Sequence, residues 1–226
     1  LNIVLGHAAA MGLNVDLQAT TKAKALLGKT RHKPKNIPYM PWPEVPNFYA
    51  SLEEHTPTQL ALRLLILTVT RSYSIRFCHF DQIQGDVWTV PKANMKGQEG
   101  VATDFRVPLS REALSVIELA KPLARDGFLF PGERKGVISD AAMLSHLNRQ
   151  KIEARPHGFR SSFKTWCDET TDIPEAIVET SLAHVVGNEV ERSYRRTDFL
   201  ERRRPLLARW ADHVTGESAS EVIKIA

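Results

Sequence analysis

The stretch PHGFRSSFKTWCDETTDIPEAIVETSLAHVVGNEVERSYRR, residues 156–196, decides how this chain is read. It holds a His-x-x-Arg pair (His157 and Arg160), a second histidine (His184), and Tyr194 flanked by Arg192, Arg195 and Arg196. Spaced three apart, His157 and Arg160 share the N-terminal end of a helix, where free N–H groups and the helix dipole favour a phosphate. Phe159, Phe163 and Trp166 repeat on one face of that helix and read as core. The stretch has no acidic cluster suggesting a metal and no glycine-rich loop suggesting a nucleotide. Arginines, histidines and one tyrosine are the groups needed to hold a phosphodiester and attack it covalently.

The rest of the chain frames this stretch. Thr56-Pro57-Thr58-Gln59 reads as a capping box with proline at the first helical position. The following LALRLLILTVT is apolar nearly all round and predicts a central core helix, with Arg71 where it ends. CHFDQIQGDVWTVP and TDFRVPL alternate as strands, broken at 92–103, which predicts a small antiparallel sheet whose hairpin turn carries Lys96. Ser110 caps a helix to about Leu123, Ser139 opens another to about Arg149, and Asp172-x-Pro174-Glu175 starts one to about Ala183. After a break at Gly187, a last helix is expected from about Phe199 to Val214. The fold class is α+β, mainly α: a helical domain with a small antiparallel sheet.

Before this body, residues 1–13 read as the end of an amphipathic helix stopped by Gly12. Residues 14–47 read as a basic, proline-rich linker. It carries Lys22, Lys24, Lys29, Arg31, Lys33 and Lys35, then IPYMPWPEVP, whose four prolines forbid regular helix through Pro46. Residues 48–215 form the main domain and 216–226 a C-terminal tail. Because Leu1 falls in mid-helix, the chain is expected to be a fragment of a longer protein.

With 42% apolar and 25% charged residues, the 226-residue chain has the composition of a globular protein. Its formal charge of +4 is only mildly basic. The cationic residues cluster at 22–35, 149–164 and 192–204, which suits a polyanion touched at several places. Cys78 and Cys167 form no disulfide framework or metal motif and fit a reducing cytosol. No apolar run approaches the roughly 20 residues that span a bilayer, so a membrane partner is not expected.

Four segments, in order, carry a family resemblance: TVTRSYSIRFCHFDQI, WTVPKANMK with RVPLS, HGFRSSF, and LAHVVGNEVERSYRRTDFLERRRPLLARWAD. Together they resemble the catalytic domain of tyrosine recombinases, above all the phage- and island-type integrases, over residues 48 to 214. The preceding strap resembles the junction with that family's core-binding domain. The resemblance implies that Arg71 is the first catalytic arginine, Lys96 the hairpin lysine, His157 and Arg160 the His-x-x-Arg box, His184 the following histidine and Tyr194 the nucleophile. Four departures stand out: Leu182-Ala183-His184 replaces the usual Leu-Gly-His, Ser74 stands where an acidic residue commonly follows the first arginine, Phe80 replaces a usual tryptophan, and the loop after Lys96 is longer than expected.

By this resemblance the chain is expected to cleave and rejoin DNA through a 3′-phosphotyrosyl intermediate, with no metal, ATP or other cofactor. Expected partners are double-stranded DNA at attachment sites, further copies of the chain in a tetrameric synaptic complex, and DNA-bending factors from the host or the element. Lys29, Arg31, Lys33, Lys35, Arg195 and Arg196 are expected DNA contacts, and the location is cytoplasmic, on the nucleoid. Arg71 and Arg160 suit the non-bridging oxygens, to which guanidiniums bind bidentately. His157 suits the tyrosine proton, His184 a further hydrogen bond to the phosphate, and Lys96 the departing 5′ oxygen. The alternatives are type IB topoisomerase-like relaxation, a non-catalytic DNA-binding descendant, and a histidine-ligated metal hydrolase drawing on Asp168, Asp172 and Glu175. If Lys96 is the acid, Lys96→Ala is rescued by a substrate with sulfur at the bridging 5′ position, because a thiolate leaves unprotonated. Arg160→Ala is not rescued; equal rescue of both in single-turnover cleavage contradicts the assignment.

Overall fold

The computed structural model describes residues 1–28, 36–95, 103–184, 186–187 and 197–216. The chain divides into two compact units, Leu1–Asn36 and Ile37–Ala226.

The first unit holds helices α1 (Asn2–Ala10) and α2 (Ala19–Leu27). As the sequence predicts, α1 stops at Gly12, whose φ of +79° is open to glycine at no steric cost. The Leu13 N–H reaches back to the Ala8 carbonyl (3.1 Å) and the Gly12 N–H to Ala9 (2.9 Å), a Schellman closure. Neither helix buries a residue, so α1 shows no sided apolar face. The expected linker over 14–47 instead contains α2, begun by an Asp16 carboxylate that accepts from the Gln18 N–H (2.8 Å) and pairs with Lys22 (2.8 Å).

The second unit is built around α4 (Pro57–Thr68), which is buried on nearly every side from Leu60 to Leu67. Each such leucine removed from water contributes about 1.5–3 kcal/mol. Thr56 caps α4 by accepting from the Gln59 N–H (3.3 Å). The expected box is not reciprocal, because the Gln59 side chain passes Thr56 and accepts from the Glu54 N–H (2.7 Å). Helices α6 (Arg111–Ala120), α7 (Ala142–Arg149) and α10 (Leu200–Thr215) pack on α4. The buried Trp210 of α10 donates its indole N–H to the Ile66 carbonyl (2.8 Å). Ser110 caps α6 as expected, through the Ala113 N–H (3.1 Å). Helix α7 begins three residues after Ser139, which contributes a turn through its carbonyl instead of a cap (3.2 Å).

Three antiparallel strands, β1 (Ile83–Gln84), β2 (Val87–Val90) and β3 (Phe105–Pro108), form one sheet in that order. Trp88 faces Val107 and Val90 faces Phe105. Trp88, Val90 and Val107 are buried, as strand alternation requires of a half-buried sheet. The hairpin residues 96–102, with Lys96, lie outside the described residues, as do the tail residues 217–226.

The proline-rich strap differs most from expectation. Residues 37–47 belong to the second unit, and α3 (Val45–Ala50) begins at Val45 with Pro46 in its first turn. Proline is tolerated there because a first-turn N–H has no helical partner anyway. The Trp42 indole donates to Glu169 (2.7 Å), the Arg155 N–H to the Pro38 carbonyl (3.1 Å), and the Ser162 hydroxyl to the Met40 carbonyl. Gly158, between His157 and Phe159, leaves room for this strap. A methyl group at Gly158 would land on the Pro38 carbonyl oxygen and 2.8 Å from the Tyr39 Cα. Gly158→Ala is therefore expected to destabilise the second unit by about 1–3 kcal/mol, read as a lower denaturation midpoint; an unchanged midpoint would show that the strap yields freely.

Candidate active site

Helix α4 ends at Val69, which adopts a left-handed conformation (φ 50°, ψ 24°). That conformation is rare for a β-branched residue and costs on the order of 1–3 kcal/mol. It turns the chain so that Arg71 becomes the N-cap of the short helix α5 (Ser72–Arg76). Arg160 lies in the first turn of α8 (Phe159–Thr170) and is only 4% exposed. It donates from Nη1 to the Val69 carbonyl (2.6 Å) and from Nη2 to the Leu182 carbonyl. Arg71 donates from Nη2 to the neighbouring Ala183 carbonyl (3.2 Å). Ala183 is also left-handed, with φ of +49°, as the chain leaves α9 (Glu175–Ser181). Two guanidiniums are thus fastened to the carbonyl ends of α4 and α9, where the helix dipoles are negative.

Burial, and then the neighbouring Arg71, push the Arg160 pKa down to about 10, with Glu179 opposing. Burial lowers that of Arg71 as well. Both arginines remain charged at neutral pH, and their proximity forms a concentrated cationic site. They share a small cavity with Ser74, Met95, Phe105 and Ala183, of about 10 Å³, room for no more than a single water.

His184 follows directly. Its Nε2 lies 2.9 Å from Arg160 Nη2 and its Nδ1 2.6 Å from the Glu179 carboxylate. His157 is exposed in the 3-10 turn Pro156–Gly158, three residues before Arg160. The structure therefore brings Arg71, Arg160 and His184 together and places His157 in the turn that leads into α8. Lys96, Tyr194, Lys29, Arg31, Lys33, Lys35, Arg195 and Arg196 lie outside the described residues.

The flanks of two of those segments are held firmly. Ser74, buried, donates to the Asn94 carbonyl (2.9 Å), and the Asp104 carboxylate accepts from the Lys92 N–H (2.9 Å), so both sides of the hairpin are tied down. After Tyr194 the chain is anchored at Asp198. Its carboxylate takes two bonds from Arg106 on β3 (2.9 and 2.8 Å), and the fully buried Arg203 donates to its carbonyl (2.8 Å). Arg203 also donates to the Arg106 carbonyl (2.7 Å) and lies over the Phe105 ring. Sequence reasoning missed Glu179, Asp198 and Arg203. A charged side chain that pairs across the fold leaves no local pattern, although Glu179 does sit five residues before His184. Among the described residues, no group of three or more His, Cys, Asp or Glu could hold a metal ion. Asp168 and Glu175, considered for that role, face Lys164 instead, at 2.6 and 4.0 Å.

A search of protein-family models finds no match to the chain. Prophage integrase IntA of Escherichia coli K12 is 31% identical, covering 87% of this chain and 49% of the relative. The integrase of Enterobacteria phage P4 is 29% identical, covering 80% and 46%. Among solved structures, a lambda integrase dimer bound to a COC′ core site aligns with a TM-score of 0.56 at 16% identity, over 85% of this chain and 68% of that one. A lambda integrase tetramer bound to a Holliday junction gives 0.57 at 13% identity, over 81% and 55%. The fold is that of a tyrosine recombinase catalytic domain. The chain is similar to prophage and phage integrases over most of its length, and it spans about half the length of the curated relatives it matches.

The two arginines differ in how far the fold depends on them. Arg160→Ala leaves the buried Val69 and Leu182 carbonyls without a donor, at about 1–3 kcal/mol each. Arg71→Ala breaks one longer bond at a half-buried group and should cost about 1 kcal/mol. Chemical denaturation of both variants checks this; equal losses would mean that Arg160 is not a structural tie.

Proposed function

We propose that the protein is a site-specific DNA recombinase that integrates or excises a mobile element by cleaving and rejoining DNA through a 3′-phosphotyrosyl bond. The observation that carries this reading is the convergence of Arg71 and Arg160 on adjacent carbonyls, Ala183 and Leu182, immediately before His184. A phosphodiester bound there would place its non-bridging oxygens against two cations and a histidine. In such a site, preorganised donors stabilise the charge that builds up in the pentavalent transition state.

In this reading Tyr194 attacks the phosphorus and gives its proton to His157, since a phenol with an ordinary pKa near 10 needs a base at neutral pH. The bond from phosphorus to the 5′ oxygen breaks, and Lys96 protonates that oxygen. The products are a 3′-phosphotyrosyl linkage and a free 5′ hydroxyl. A 5′ hydroxyl from a partner strand then reverses the step. The bond energy stays in the linkage, so neither ATP nor a metal is required.

Residues 48–215 act as the catalytic domain. Unit 1 with the basic run Lys29, Arg31, Lys33 and Lys35, and the pair Arg195 and Arg196, contact the DNA backbone. The working assembly is a tetramer on two attachment sites, assisted by DNA-bending factors, in the cytoplasm on the nucleoid. No described helix is long and apolar enough to cross a membrane. Similarity to integrases along most of the chain favours strand exchange over topoisomerase-like relaxation, and the filled arginine and histidine positions favour an active enzyme over a non-catalytic descendant. The test is Tyr194→Phe, which removes one oxygen and little packing. On a suicide duplex drawn from the element's ends the parent should form a covalent adduct. The variant should bind with similar affinity and form none; a variant that forms adduct at the parental rate would overturn the assignment.

A further inference from the structure

The hydrogen bonds around His184 fix its protonation pattern by chemistry alone. An ionised carboxylate only accepts, so the ring atom 2.6 Å from Glu179, Nδ1, carries the proton. A guanidinium only donates, so the atom 2.9 Å from Arg160 Nη2, Nε2, presents its lone pair. This geometry assigns the Nδ1–H tautomer to the imidazole, held between an acid on α9 and the buried arginine of α8. Glu179 is itself only 22% exposed in its side chain, and its other oxygen faces Lys164 at 4.0 Å.

Ser74, at the position where the family commonly carries an acidic residue, spends its hydroxyl on the Asn94 carbonyl and offers the arginines no charge. The carboxylate whose charge acts on Arg160 is Glu179. We propose that Glu179 is a positioning residue of the phosphate site: it locks the orientation and tautomer of His184 and supplies the negative charge that position 74 lacks. This rests on reading the site as one for a phosphodiester.

The lock has a consequence for catalysis. In the resting state Arg160 Nη2 is shared between the Leu182 carbonyl and His184. When a phosphate enters, Nε2 takes a proton from hydronium, which leaves as water, and turns from acceptor to donor. Both ring protons then have acceptors: the Glu179 carboxylate for Nδ1–H and a non-bridging oxygen for Nε2–H. The N–H of Arg160 that had pointed at Nε2 is released toward the same phosphate. Without Glu179 the ring has no partner at Nδ1 and is free to rotate or to adopt the other tautomer, in which Nε2–H would oppose Arg160.

The test combines nitrogen NMR on histidine-labelled protein with single-turnover cleavage of the suicide duplex, using the parent, Glu179→Ala and Glu179→Gln. The His184 signals are assigned by their loss in His184→Asn. The parent should show the Nδ1–H tautomer, and Glu179→Ala should lose it. Glu179→Ala should also cleave about 10- to 100-fold more slowly, the usual scale for losing an outer partner of a working histidine, with DNA affinity within about threefold. Glu179→Gln, whose amide oxygen still accepts from Nδ1–H, should keep the tautomer and recover part of the rate. Parental tautomer in Glu179→Ala, or cleavage within twofold of the parent, overturns the proposal. If the tautomer changes as expected but the parent itself forms no adduct, the strand-cleavage reading falls and the role of Glu179 in orienting His184 stands.

Discussion

Everything at this site depends on the guanidinium of Arg160 replacing missing helix partners. The last carbonyls of α4 and α9 have no N–H of their own, and a buried carbonyl left unpaired is costly. Arg160 satisfies Val69 and Leu182 at once, from the first turn of a third helix. Three helices are thereby pinned at a single cation. The same contacts justify the left-handed turns at Val69 and Ala183, which direct Arg71 and His184 into the space beside Arg160. In the proposed reading, structural need and phosphate binding draw on one group. Its burial leaves the charge uncompensated by water, a condition that strengthens attraction for an incoming anion.

The flanking segments are held by a second device of the same kind. Arg203, fully buried, joins the carbonyl of Asp198 to that of Arg106, while Arg106 grips the Asp198 carboxylate. The sheet and the last helix are thus locked at the point where the chain leaves the region of Tyr194. On the other side, Ser74 and Asp104 anchor the two ends of the hairpin that bears Lys96. The segments between these ties thus start and end at rigid attachment points, as preorganised sites on a firm scaffold require.

Much of this was legible in the sequence, for identifiable reasons. The apolar run 60–67 could only be a core helix, and Thr56, Ser110 and Gly12 mark element ends through local hydrogen bonds that depend on a few neighbouring residues. Motif order predicted that Arg71 and Arg160 would lie together, and they meet on the adjacent Ala183 and Leu182 carbonyls. Illegible features were those made by pairing across the fold. Glu179 looks like any surface acid on α9 until its distance to His184 is known. Arg203 sits in a run of arginines, yet it is wholly buried while its neighbour Arg202 is exposed. That part of the proline-rich linker packs on the body was not legible, because the effect of proline on helix is local, whereas Met40 and Val45 are buried in the core.

The central claim is that the arginines act by neutralising charge on the non-bridging oxygens of a bound phosphodiester. Its most direct measurement is single-turnover cleavage of a duplex whose scissile phosphate is replaced by an uncharged methylphosphonate, comparing the parent with Arg71→Ala. On the natural phosphate the variant should be slower by about 10²–10³, the usual effect of removing one such donor. On the methylphosphonate, with one charge already gone, the difference should shrink to a few-fold. An equally large deficit on both substrates would contradict the account, because it would place the work of Arg71 somewhere other than on the charge of the phosphate.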